Sequence, residues 1–289
     1  MRSEQEMMSL ILGFAKEDGR IRAVYMNGSR TNSHAPRDIF QDYDIVYVTD
    51  DISDFVEDQS WIQHFGELIM MQQPDALDAG KGLKTDPGRY AFLMLFDDAN
   101  RIDLSFQSVD FMQKVYREDS LTIPLLDKDG ILPDIPESTD RDYFVKKPSE
   151  GEFDSATNDF WWCLQNVAKG LWRDELPYAH HMFELTIRSA LDQMIEWWIG
   201  GQHEYQVSAG KMGKYFKRLL PEEYWAIYLQ TYAENKWDAV EAAAELFGVL
   251  GRSVADEAGF QYPGEDERQM LRFVRRVREL PGDAEEVFE

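Results

Sequence analysis

Residues 27–50 read NGSRTNSHAPRDIFQDYDIVYVTD, and the fold turns on how Asp42 and Asp44 are read within it. They stand at the mouth of Ile45-Val46-Tyr47-Val48, a β-branched and aromatic run of the kind that forms a buried strand. A buried carboxylate without a partner is costly, and two held side by side also repel each other. Strand side chains at i and i+2 share a face, so this pair is placed to share a cation. Magnesium suits it, because that ion takes oxygen ligands and completes its shell with substrate phosphates and water. Upstream, IRAVYM (21–26) reads as a strand that ends at Gly28. A glycine directly after a strand lets a phosphate approach the backbone, where N–H groups and the Ser29 hydroxyl can hold it. Asp103, in RIDLSF, is a lone carboxylate between Ile102 and Leu104 in another strand pattern. A neighbouring strand would bring it beside the pair. The plainer alternative is a strand-end aspartate paired with Arg101.

Around this stretch the first half of the chain mixes two periods. Met7, Leu10, Ile11 and Phe14 recur at helical spacing within 3–18, and strand patterns follow at 43–49, 67–72, 90–96 and 101–107. The last two flank DDAN, a turn-like tetrapeptide that predicts a hairpin. Residues 136–152 are poor in apolar side chains and read as a connection. Beyond them only helical patterns appear, at 156–173, 177–199, 211–220, 222–233, 237–257 and 266–278, with breaks at Gly200-Gly201, Pro221 and Pro263. The expected class is α+β: a catalytic domain over 1–135 built on a small mixed sheet with flanking helices, a linker over 136–152, and a helical bundle over 153–289.

Composition narrows the partners. The 289 residues carry 54 acidic against 30 basic side chains, a formal charge of -24. A field of that sign repels nucleic-acid phosphates and attracts cations. No apolar run approaches the ~18 residues that span a bilayer, and Glu4 and Glu6 stand where a signal peptide needs positive charge. A cytoplasmic protein is expected. The single cysteine, Cys163, allows neither an internal disulfide nor a thiolate metal cluster.

Gly-Ser, then a D-x-D strand, then one Asp on a later strand resembles the nucleotidyltransferase superfamily that includes DNA polymerase beta. The strings AVYMNGSRTN, DYDIVYV, FGE, RIDLSF, DKDG, NDFWW and AKGLWR together resemble the aminoglycoside 6-adenylyltransferases that modify streptomycin. The likeness spans most of the chain. It departs at Asp98-Ala99, where Asp-Gly-Asn is expected and turn geometry is at stake, and at Asp159, where glutamate is expected. The resemblance implies magnesium-dependent transfer of AMP from ATP to a hydroxyl of a cationic aminoglycoside, with pyrophosphate leaving. It implies Asp42, Asp44 and Asp103 as the catalytic, metal-holding set, with Asp103 either a ligand or the base for the acceptor hydroxyl. Gly28, Ser29 and Arg30 would bind the nucleotide.

In the helical half, Phe160, Leu164, Val167 and Leu171 form the core stripe of one helix, opposite Asn158, Trp162, Gln165, Lys169 and Trp172. Two tryptophans and a lysine on a solvated face would be unusual, so this second stripe is expected to face a cleft or the other domain. There Lys169 would reach the triphosphate, and Trp162 and Trp172 would cover adenine or a sugar. Lys211, Lys214 and Arg218 offer a second basic group, and Tyr232 a nucleotide contact. Glu175, with Asp174 and Glu184, would meet the cationic groups of the drug. Rival readings are a nucleotidyltransferase that modifies a protein, an RNA or another small molecule, and a non-catalytic nucleotide-binding module. A P-loop is excluded, since Gly80-Lys81-Gly82 lacks the required spacing, as is a serine-hydrolase elbow. His180-His181 point about 100° apart on a helix and do not make a zinc site. Oligomeric state is not legible.

Overall fold

The structure is a computed structural model and describes residues 1–288. The chain forms two compact units, Met1–Asp142 and Tyr143–Glu289. In chain order the first unit holds α1 (Glu4–Glu17), β1 (Ile21–Asn27), β2 (Tyr43–Thr49), α2 (Ser53–Glu57), β3 (Leu68–Gln72), α3 (Pro74–Gly80), β4 (Arg89–Phe96), β5 (Arg101–Ser108), α4 (Val109–Val115) and β6 (Thr122–Asp127).

The strands form a six-stranded sheet in the order β3-β4-β5-β2-β1-β6. Only β2 and β5 run parallel; the other neighbours are antiparallel. α1 begins at a capping box in which Ser3 and Glu6 satisfy each other's backbone N–H groups. It buries Met7, Ile11 and Ala15 on one stripe, and the Tyr47 hydroxyl donates to the Ile11 carbonyl at 2.6 Å. Tyr47, Phe55, Trp61, Phe65, Phe92 and Phe106 fill that side of the sheet. The opposite face buries Ala23, Tyr25, Val46, Val48, Met112 and Tyr116. Both faces of β2 are therefore covered, which is why its sequence reads as a continuous apolar run instead of an alternating one.

The expected hairpin joins β4 to β5. Ala99 takes φ +64°, so an alanine occupies the left-handed position where glycine is usual, while the Asp98 carboxylate caps the turn through the Asn100 N–H at 3.0 Å. β6 is an addition to the expected strands, and Pro124 lies within it. It pairs only with β1 at the sheet edge, where a missing N–H is tolerated.

The second unit comprises α5 (Glu150–Trp172), α6 (Leu176–Met182), α7 (Arg188–Gln202), α8 (Phe216–Leu219), α9 (Glu222–Gln230), α10 (Lys236–Ala258) and α11 (Gly264–Glu279). Its core is aromatic and close-packed, with Phe160 stacked on Phe247 at 3.7 Å between ring centroids. Three expectations need correction. Helix α5 starts at Glu150, inside the span read as a linker, because Ser149 and Glu152 form a second capping box. The helix expected over 177–199 is interrupted by a π-turn, Phe183–Ile187. Residues 211–220 are not one helix, since Gly210, Met212 and Gly213 all have positive φ. Only Lys211–Gly213 as a 3₁₀ turn and the short α8 remain, so Lys211, Lys214 and Arg218 do not share a helical face.

Candidate active site

The parallel register of β2 on β5 sets Asp44 directly opposite Asp103. Asp42 lies one step before β2 on the same side as Asp44. The carboxylates of Asp42, Asp44 and Asp103 each offer an oxygen, and these atoms lie within 4.8 Å of one another. The strands thus bring together all three acids singled out in the sequence. The pairing with Arg101, read as the plainer alternative, is also present. Its Nε reaches Asp103 Oδ1 at 2.7 Å and a terminal nitrogen reaches Oδ2 at 2.6 Å, with Asp42 at 3.8 Å. Asp44 fares differently. Burial, and then the charges of Asp42 and Asp103, push its carboxyl up to about 7, against a smaller opposing pull from Arg101.

That imbalance tests whether a divalent cation suits the residues present. Three hard oxygen donors converge, and one of them resists ionisation because it is buried and faces two other acids, a condition that a bound Mg2+ would relieve.

Gly28 ends β1 at φ +77°, and a Cβ there would lie 2.1 Å from Asp44 Oδ2. Only glycine lets the backbone pass so close to the carboxylate. Its N–H already donates to the Leu121 carbonyl at 3.1 Å, so the expectation that this amide is open to a phosphate is corrected. The Ser29 hydroxyl accepts only a long contact from Gln41, 3.4 Å. Arg30, expected at the nucleotide, is engaged with the chain's own backbone. Its side chain is 8% exposed, donates to the carbonyls of Asp42 and Gln41 at 2.9 and 2.8 Å, and stacks on Tyr43 at 3.7 Å. It braces the backbone that carries Asp42.

In the helical unit the candidates are dispersed. Trp162 is 63% exposed, whereas Trp172 packs against the core and its indole N–H has no partner there. Lys169 pairs with Gln165 one turn away. Glu175 precedes α6 and lies 3.9 Å from Arg173. Lys214 approaches the Tyr215 ring at 5.2 Å, and Lys211 is exposed.

Tyr232 belongs to a polar constellation around Arg188. Arg188 is buried, ion-paired to Glu184 at 2.6 Å, bonded to the Thr231 hydroxyl at 2.8 Å, and stacked on Tyr232 at 3.9 Å. The Tyr228 hydroxyl donates to Asp192 at 2.9 Å and meets that of Tyr232 at 3.1 Å. Burial raises the carboxyls of Asp192 and Glu196 above their usual range. Glu184, Arg188, Asp192 and Glu196 recur every four residues, a polar stripe that a periodicity search for charge would have found.

A sheet whose one parallel strand pair presents three convergent carboxylates beside a glycine–serine turn is the arrangement that the nucleotidyltransferase resemblance implied. Comparison with known proteins specifies the class. The family model described as Streptomycin adenylyltransferase matches residues 1–277. An aminoglycoside 6-adenylyltransferase of Campylobacter jejuni is 37% identical over 272 residues, 93% of each chain. The Bacillus subtilis protein of the same name is 36% identical, covering 92% of this chain and 95% of its own. That of Staphylococcus aureus is 30% identical, covering 95% and 98%. This chain belongs to the streptomycin adenylyltransferase family.

Proposed function

We propose that the protein transfers the adenylyl group of ATP to a hydroxyl of an aminoglycoside, the 6-hydroxyl of streptomycin, with Mg2+ as cofactor. The family assignment supports the reaction class, and the names of the relatives support the substrate and the position modified. The observation that carries the chemistry is the meeting of Asp42, Asp44 and Asp103 within 4.8 Å. When bound, divalent ions would neutralise the triphosphate and stabilise the entering and leaving oxygens. The chain supplies position and charge. Asp42 and Asp44 would hold the ion, and the proximity of Asp103 to both supports ligation for it over a separate role as base. Gly28 leaves room beside Asp44, and the Ser29 hydroxyl, which accepts only a long contact from Gln41, would donate to a phosphate. In the reaction the acceptor hydroxyl gives up its proton to solvent as its oxygen bonds to the α-phosphorus, the bond from that phosphorus to the oxygen bridging to the β-phosphorus breaks, and pyrophosphate departs.

The first unit holds the chemistry. Lys169, Lys211, Lys214, Tyr232, Trp162, Trp172 and Glu175 stay candidate ligand contacts of the helical unit taken by itself. No helix among the described residues is long and apolar enough to cross a membrane, and the working compartment is taken to be the cytoplasm.

Pyrophosphate release from ATP, Mg2+ and streptomycin, with spectinomycin and kanamycin as controls, tests the reading. Streptomycin should stimulate release. Asp42→Asn or Asp44→Asn should lower kcat at least about a hundredfold with the circular dichroism spectrum unchanged. A lack of stimulation by streptomycin, or near-normal turnover in either variant, would sink the assignment.

A further inference from the structure

Arg101 occupies the space in front of the acidic triad. Residues 101 and 103 share a face of β5, and the guanidinium folds back so that both of its prongs grip Asp103, at 2.7 and 2.6 Å. The same group stands 3.8 Å from Asp42. One cation of this chain therefore spans two of the three carboxylates that the proposed reaction requires for a metal. The Asp103 side chain is 18% exposed and that of Arg101 46% exposed, so the guanidinium can leave into solvent without opening the core.

We propose that Arg101 is a built-in counter-ion of the metal site: it holds Asp103 and Asp42 until a divalent cation displaces it, and so sets how tightly the nucleotide-free protein takes up metal. This inference rests on the proposed metal site. Three acids within 4.8 Å would repel one another strongly if left bare, and a two-pronged arginine is the side chain best shaped to quiet a carboxylate. Ion and guanidinium cannot both take the same oxygens of Asp103, so the exchange is competitive. Bound ATP brings phosphates, an alternative partner for the displaced guanidinium. Nucleotide and metal should therefore reinforce each other's binding, by the same factor in both directions.

The test is Mn2+ uptake by the purified full-length chain, read from loss of the free-ion electron paramagnetic resonance signal, without and with a non-hydrolysable ATP analogue. Arg101→Gln should bind Mn2+ about three- to thirtyfold more tightly than wild type without nucleotide, a range set by a charge-assisted pair that is half in solvent. The analogue should then improve affinity less in the variant than in wild type. Equal or weaker uptake by Arg101→Gln, with wild type binding normally, overturns the counter-ion role while leaving the metal site standing. No uptake by either protein removes the metal site, and this inference with it. Should the neutral variant fail to fold, Arg101→Lys carries the test. It keeps the charge and loses the fork, so its affinity should rise by a smaller factor, and an unchanged affinity counts against the role.

Discussion

Asp44 holds its proton up to about pH 7 in the folded, metal-free chain, against an ordinary value of 3.8. Between those values the folded state binds more protons than the unfolded one, so stability falls as pH rises through that window. The cause is burial first, and then repulsion from Asp42 and Asp103. Replacing Asp44 with asparagine removes the charge and keeps the shape. In the presence of a chelator, Asp44→Asn should melt higher than wild type at pH 8, by about 2–4 °C for each kcal/mol recovered, and the gain should fade towards pH 4. An equal difference at both pH values would contradict this account. The variant predicted to lose activity is thus expected to be the sturdier protein, because the proposed function keeps a strained charge in place.

At the scale of the element, the β4–β5 hairpin carries a similar strain for a different reason. An L residue in the left-handed region costs about 1–2 kcal/mol, and Ala99 sits there at φ +64°. Asp98 offsets part of that. Its carboxylate accepts from the Arg2 backbone N–H at 3.0 Å and from its side chain at 2.7 Å, and Arg2 holds it well below the usual carboxylate range. Ala99→Gly should stabilise the protein by about 0.5–1 kcal/mol, the strain relieved less the entropy that glycine adds to the unfolded chain. Urea titration reads the difference, and a loss of stability would show that the turn does not limit the hairpin. The departure from Asp-Gly-Asn was visible in the sequence; the positive φ that gives it meaning was not. Elsewhere local signals misled. The apolar spacing of 211–220 resembles a helix, yet Gly210 and Gly213 give a looped path, and Pro124 concealed a strand that the sheet edge accepts.

For the whole molecule, the charge of -24 acts at a distance on a cationic substrate. Screening shortens its reach to about 8 Å at physiological ionic strength. The KM for streptomycin should therefore rise several-fold between low and roughly 0.3 M salt, with kcat less affected. A KM independent of salt would mean that only contacts inside the site recognise the drug.

What the sequence determined by itself was the chemistry on offer and the broad division of the chain. The strand at 43–49, the aspartates before and within it, the glycine after β1 and the run of helices beyond 150 follow from short-range rules of period, branching and capping, which act between residues a few positions apart. Only the tertiary structure decided that Asp103, some sixty residues from Asp42, stands opposite Asp44 on a parallel neighbour, that Arg30 braces the backbone of Asp42, and that Arg101 covers the acids. Those outcomes depend on which strand lies beside which and on how far a side chain must reach for a partner. They are long-range packing facts that no local pattern encodes.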